Sequence, residues 1–118
     1  MADDLPEDLP IEYQVATDEV VLVVTIGEGD RGRSLVELDG QQLALGEVKR
    51  LPLGSGESLT GKKLLVRTMV NDLNDKTNHM SARYELEGGT ARKTVDFDGE
   101  VDEEGGSVIF EATFKFKA

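Results

Sequence analysis

Two short stretches concentrate the side chains that could do chemistry. One holds Asn71, Asp72, Asn74 and Asp75; the other holds Asp96, Asp98, Glu100, Asp102, Glu103 and Glu104. Hard cations such as calcium collect several oxygen ligands from carboxylates, amides and carbonyls. A calcium reading takes Asp72, Asp75, Asp96, Asp98 and Asp102 as its ligands. The second stretch lacks EF-hand spacing, because Gly99 comes too early in it. A plainer reading competes. Asp96 and Asp98 form the solvent face of a strand whose Val95 and Phe97 point inward. Glu103-Glu104-Gly105-Gly106 is then a hairpin tip, its charge guarding an exposed sheet edge.

Other chemistries are narrowed by what the chain lacks. It has no Cys, which excludes thiol nucleophiles, Cys-held zinc, iron–sulfur clusters and disulfides. His79 is its single histidine, so no His-rich metal site can form. Serines are present at 34, 55, 58, 81 and 107, but no G-x-S-x-G elbow accompanies them. Paired carboxylates could cleave sugars, yet the aromatics fall on inward strand positions and leave no platform for a sugar ring. A non-enzyme is the expectation.

Two glycine patterns imitate phosphate loops. Gly27-Glu28-Gly29-Asp30-Arg31-Gly32 matches G-x-G-x-x-G, but a dinucleotide site needs a helix to begin there. The residues that follow alternate instead and soon reach Asp39-Gly40, so a plain strand connection is expected. Gly56 to Lys62 resembles a Walker A loop, but Lys63 stands where the magnesium-binding hydroxyl belongs. A strand from Leu64 to Val70 follows, so Gly56–Lys62 is expected to be a Gly/Ser loop.

The elements that would position these residues are strands. Ile11, Tyr13 and Val15 alternate with polar neighbours, and Val20 to Ile26 is a nearly continuous β-branched run suited to a central strand. Asp39-Gly40 reads as a type I′ hairpin turn, placing Val36 opposite Leu43 and Ser34 opposite Leu45. Val48 to Leu51 reads as a short edge strand ended by Pro52. Leu64, Val66 and Val70 share a face; so do Met80, Ala82, Tyr84 and Leu86. After a Gly88-Gly89 turn come Val95 and Phe97, and finally Val108, Phe110, Ala112, Phe114 and Phe116. Leu65, Met69 and Ile109 fall on the opposite faces of their strands, hinting at a second, partly apolar surface.

No stretch carries a helical period. The fold expected is all-β: a single antiparallel β-sandwich of about 8–9 short strands, immunoglobulin-like in architecture, with no substantial helix. Residues 11–118 form the sandwich. Residues 1–10, with Asp3, Asp4, Glu7 and Asp8, two prolines and no base, read as an acidic flexible N-terminal segment.

Charge then bounds the function. The chain's 118 residues carry 24 acids and 13 bases, a net −11. A phosphate backbone calls for a basic field, so nucleic acid is not expected as a partner. Residues 1–10 contribute −4 and residues 96–104 contribute −6, so the remainder, with 14 acids and 13 bases, is nearly balanced. No apolar run is long enough for a membrane helix, and the acidic N-terminus lacks secretory-signal features. The default compartment is the cytoplasm, with a mature exported protein as the alternative. The leading expectation is a non-catalytic module for protein–protein interaction. Its contact for a basic partner would be an acidic hairpin carrying Asp98, Glu100, Asp102, Glu103 and Glu104, with no cofactor. The rivals are a sandwich stabilised by calcium and one that binds a carbohydrate or another small molecule.

Overall fold

Alternation drives the chain into strands, and the strands into two layers. The computed structural model describes residues 10–27, 31–71, 79–100 and 107–118, with backbone alone at His79 and Glu100. In chain order these form β1 (Ile11–Gln14), β2 (Glu19–Ile26), β3 (Arg31–Leu38), β4 (Gln41–Gly46) and β5 (Arg50–Ser55). A helical turn α1 (Gly56–Leu59) precedes β6 (Lys63–Asn71), β7 (His79–Glu87), β8 (Lys93–Glu100) and β9 (Ser107–Lys117). A five-stranded sheet in the order β1-β9-β6-β3-β4 packs on a four-stranded sheet, β5-β2-β7-β8. The expected sandwich is therefore present. An immunoglobulin topology is not established by its strand order: β2 lies between β5 and β7, where immunoglobulin strand B lies between strands A and E.

The inward residues are the ones the alternation marks. Leu22, Leu64, Val66, Tyr84, Leu86, Phe114 and Phe116 are fully buried between the sheets. Each large apolar side chain removed from water contributes about 1.5–3 kcal/mol. A one-residue slip of β9 would turn Phe110, Phe114 and Phe116 outward together, so its register is fixed by several such terms. β2 is central, and Val21 on its second face is buried as well, flanked there by Pro52 and Glu87. Only two polar residues are buried among those described, Ser34 and Thr68, and their hydroxyls bond each other at 2.8 Å.

Four details depart from the sequence expectations. First, β1 pairs with β9 in parallel, Ile11 beside Phe114 and Tyr13 beside Phe116, so the sandwich is not wholly antiparallel. Parallel neighbours require a long crossover, and here nearly the whole domain supplies it. Second, the Asp39-Gly40 turn forms as expected, with φ of 50° and 84°, but the ladder shifts between Val36 and Glu37. Leu43 is the extra residue of a bulge. Val36 consequently faces Ala44 and Ser34 faces Gly46, while Leu43 and Leu45 turn to solvent.

Third, Pro52 lies inside β5 and does not end it. β5 is an edge strand, where a missing N–H disrupts no ladder. Fourth, the expected Gly/Ser loop folds into the single turn α1. The Ser58 N–H donates to the Ser55 side-chain oxygen at 3.2 Å, and Thr60 N–H donates to the Gly56 carbonyl. Ser55 is thus an N-cap, satisfying a donor the turn would leave open.

One side chain fastens β1 across the layers. The Tyr13 hydroxyl donates to the Leu86 carbonyl at 3.1 Å and accepts from the Gly89 N–H at 3.0 Å. Its ring packs edge-on against Phe116. Any side chain at Gly89 would collide with the Gln14 carbonyl and the Tyr13 ring, so the close approach of β1 to this turn depends on glycine.

Candidate functional site

The acidic residues singled out from sequence do not converge among the described residues. β8 alternates as expected, with Val95 and Phe97 half-buried and Asp96 and Asp98 exposed. Asp96 accepts from the Arg83 Nε at 2.6 Å, a bond that pushes the Arg83 pKa further up. Asp96 is thereby committed to a cross-strand pair on its own sheet surface. Glu100 stands opposite His79 in the β7–β8 ladder. Asp72, Asn74, Asp75, Asp102, Glu103 and Glu104 lie outside the described residues, as does most of the expected acidic hairpin tip. Asn71 ends β6 opposite Ser107. Among the described residues no three of His, Asp and Glu stand close enough to hold a metal.

The structure brings together a different set. β3 and β6 pair with Arg33 beside Met69 and Leu35 beside Arg67. β6 and β9 pair with Met69 beside Ile109, Arg67 beside Glu111 and Leu65 beside Thr113. β3 and β4 place Leu35 beside Leu45. All these residues point away from the core, on the outer face of the five-stranded sheet. Ile109 and Leu45 are each 63 % exposed and Met69 is 41 % exposed. A shallow groove of about 360 Å³ runs between Arg33, Leu35, Leu45, Arg67, Met69 and Ile109. The Arg67 Nε donates to Glu111 at 2.8 Å, which ties that guanidinium to the neighbouring strand β9.

The two outer surfaces differ in charge. Strand residues turned outward on the five-stranded sheet include six bases, Arg31, Arg33, Lys63, Arg67, Lys115 and Lys117, against three acids, Glu12, Glu37 and Glu111. On the four-stranded sheet the described outward side chains include five acids, Glu19, Glu85, Glu87, Asp96 and Asp98, against Arg50 and Arg83. Arg92, in the turn before β8, sits within 3.9 Å of both Glu85 and Glu87. An acidic protein thus presents one net-basic face, and the apolar groove lies on it.

Leu65, Met69 and Ile109 were visible in the sequence as outward apolar residues. Leu45 was not, because the bulge at Leu43 reverses its side. The arginine rim was hidden for another reason: Arg33 and Arg67 meet only through the β3–β6 pairing.

A second concavity opens between the sheets. It has a volume of about 420 Å³, with Ser34, Val24 and Gly32 deep inside and Arg31, Glu47 and Lys49 at its mouth. Its charges are mixed, and the Ser34 hydroxyl is already engaged by Thr68.

Among the described residues the fold defines a two-sheet β-sandwich of nine strands with faces of opposite charge. Compared with protein-family models, characterised proteins and solved structures, the chain matches none.

Proposed function

We propose that this protein is a non-catalytic β-sandwich that binds another protein through the outer face of its five-stranded sheet. The observation that carries the reading is the exposed cluster of Leu45, Met69 and Ile109 beside Arg33 and Arg67. Contiguous apolar surface rimmed by polar groups is what interaction sites present, and arginine is enriched at such contacts. The complementary partner is an acidic segment carrying aliphatic side chains. Nucleic acid suits the face poorly: its apolar residues are aliphatic, so it offers no aromatic platform for bases, and the chain's net charge is −11.

Peptide display against the full chain tests this, with counter-selection on an Arg33→Glu/Arg67→Glu variant. Sequences rich in Asp, Glu and Leu, retained by the native face and lost on the variant, are expected, with binding that weakens as salt rises. Recovery of sequences without that composition, or with equal affinity for the variant, would overturn the reading.

The acidic surface supports a second contact, for a basic partner. Asp96 and Asp98 point outward on β8, which is the edge strand of its sheet. Charge reversal at Asp102, Glu103 and Glu104 should weaken capture of basic peptides; unchanged capture removes that role for the acidic stretch.

A further inference from the structure

We propose that the chain's own N-terminal segment, Met1–Leu9, is an occupant of the basic, apolar face, lying along β6 and β9 and competing there with partner segments. The inference rests on reading that face as a contact for acidic, aliphatic segments.

The segment has the complementary composition in a complementary spacing. Asp3-Asp4-Leu5-Pro6 is followed by Glu7-Asp8-Leu9-Pro10, two copies of an acid–acid–leucine–proline unit. Its leucines are four residues apart. In the extended conformation that proline favours they stand about 12 Å apart. On the outer face of β6, Leu65 and Met69 are also four residues apart, about 13 Å along a strand. Arg67 lies midway between them. Arg33 flanks Met69, and Arg31 flanks Asn71 one step further. With Leu9 over Leu65 and Leu5 over Met69 and Ile109, Glu7 and Asp8 come level with Arg67. Asp4 comes between the levels of Arg33 and Arg31, and Asp3 comes level with Arg31.

The tether allows this placement. β1 runs parallel to β9, so the chain upstream of Ile11 heads toward the earlier residues of β9, in the direction of Ile109. Leu65 lies two strands in from Ile11, about 10 Å, a gap spanned by two residues and a leucine side chain. Simple continuation of the β1 ladder is disfavoured. Extending the Ile11–Phe114 register upstream would put Pro10 beside Thr113 and Pro6 beside Ile109, where neither can donate an N–H. The same register would set Asp8 against Glu111, two like charges side by side. Ladder continuation therefore does not compete with docking of the segment on the face. Glu111 already engages Arg67, so Glu7 and Asp8 would share that cation with it.

The chain has no cysteine, so an Ala2→Cys variant of the full protein takes a single spin label. Methyl signals of Leu65, Met69 and Ile109 are expected to lose intensity relative to Val21 and Val23 on the opposite face. High salt, or the combined substitution Asp3→Asn, Asp4→Asn, Glu7→Gln, Asp8→Gln, should restore them. Absence of face-selective loss, or loss that survives neutralisation of the four acids, would overturn the proposal. So would loss transferred between separately labelled copies in a mixed sample, which would identify a second molecule as the occupant. A synthetic peptide of residues 1–9, added to the neutralised variant, separates the two readings. If it shifts Met69 and Ile109 while the tethered segment fails to, the face still binds acidic segments and only the cis docking is wrong. If neither acts, both fail.

Discussion

The Tyr84 hydroxyl, reaching from β7 in one sheet, shares a 2.6 Å hydrogen bond with the Thr68 hydroxyl on β6 in the other. Tyr84 also donates to the Phe110 carbonyl at 3.3 Å. Its single proton is then committed, so Thr68 donates to Tyr84 and Ser34 donates to Thr68. A directed chain of hydroxyls thus stitches the two layers through the core. Tyr84→Phe removes the acceptor for Thr68 and the donor to Phe110. Leaving buried groups unmatched costs about 1–3 kcal/mol, and a urea melt should read a loss of that size. A loss no larger than an exposed substitution gives would show that water or a repacked core replaces the bonds.

The same burial sets a response to alkali. Desolvation pushes the Tyr84 pKa from its ordinary value near 10 up to about 12, outweighing the opposing hydrogen bond from Thr68. The folded protein keeps a proton that the unfolded chain gives up, so stability is full below pH 10. It declines as pH rises through the interval from 10 to 12. The Tyr84→Phe variant should show a shallower decline. The chain has no Trp and two Tyr, so the tyrosinate absorbance of the native protein less that of Tyr84→Phe reports the Tyr84 ionisation; a Tyr84 that titrates at the ordinary pH would refute the burial argument.

Two glycines with positive φ should respond very differently to alanine. Gly40, at φ 84°, has open space around it, so Gly40→Ala carries only the backbone term, about 1 kcal/mol. Gly88, at φ 100°, would drive its new Cβ into the Glu19 carbonyl. Backbone strain and a clash with an immovable group combine there, and a loss of about 3 kcal/mol or more is expected. Thermal denaturation of the two variants side by side checks the order.

Calcium should leave the melting temperature unchanged. Asp96 is engaged by Arg83, and the described carboxylates do not gather around a common point. A ligand at a hundredfold excess over its dissociation constant would stabilise by about 2.7 kcal/mol. A rise of that size, reversed by chelator, would overturn this expectation.

Much of this was legible in the sequence because strands report their buried face every second residue. The three inward phenylalanines of β9, the Asp39-Gly40 turn and the row Met80, Ala82, Tyr84 and Leu86 each follow from local pattern alone. The bulge at Leu43 was not legible, since an extra residue breaks the very period used to read faces. Nor was the parallel seat of β1, for which Ile11 and Tyr13 carry no local signal. The candidate site was legible only in part. Met69 and Ile109 stand out as apolar residues on outward positions. Their arginine neighbours are contributed by other strands and become neighbours only when the sheet order is known.

The pairing of Ile11 with Phe114 has a consequence in time. On a ribosome, β1 is made first of these strands and its ladder partner last of them. At about 5–20 residues per second, roughly 5–20 s separate the two. Through that interval Ile11 and Tyr13 have no strand beside them, and the ring of Tyr13 lacks Phe116 to pack on. The five-stranded sheet closes only when β9 arrives, inserting between β1 and β6. The last of these nine strands to be synthesised is therefore also the one that completes both the core and the outer face bearing Ile109.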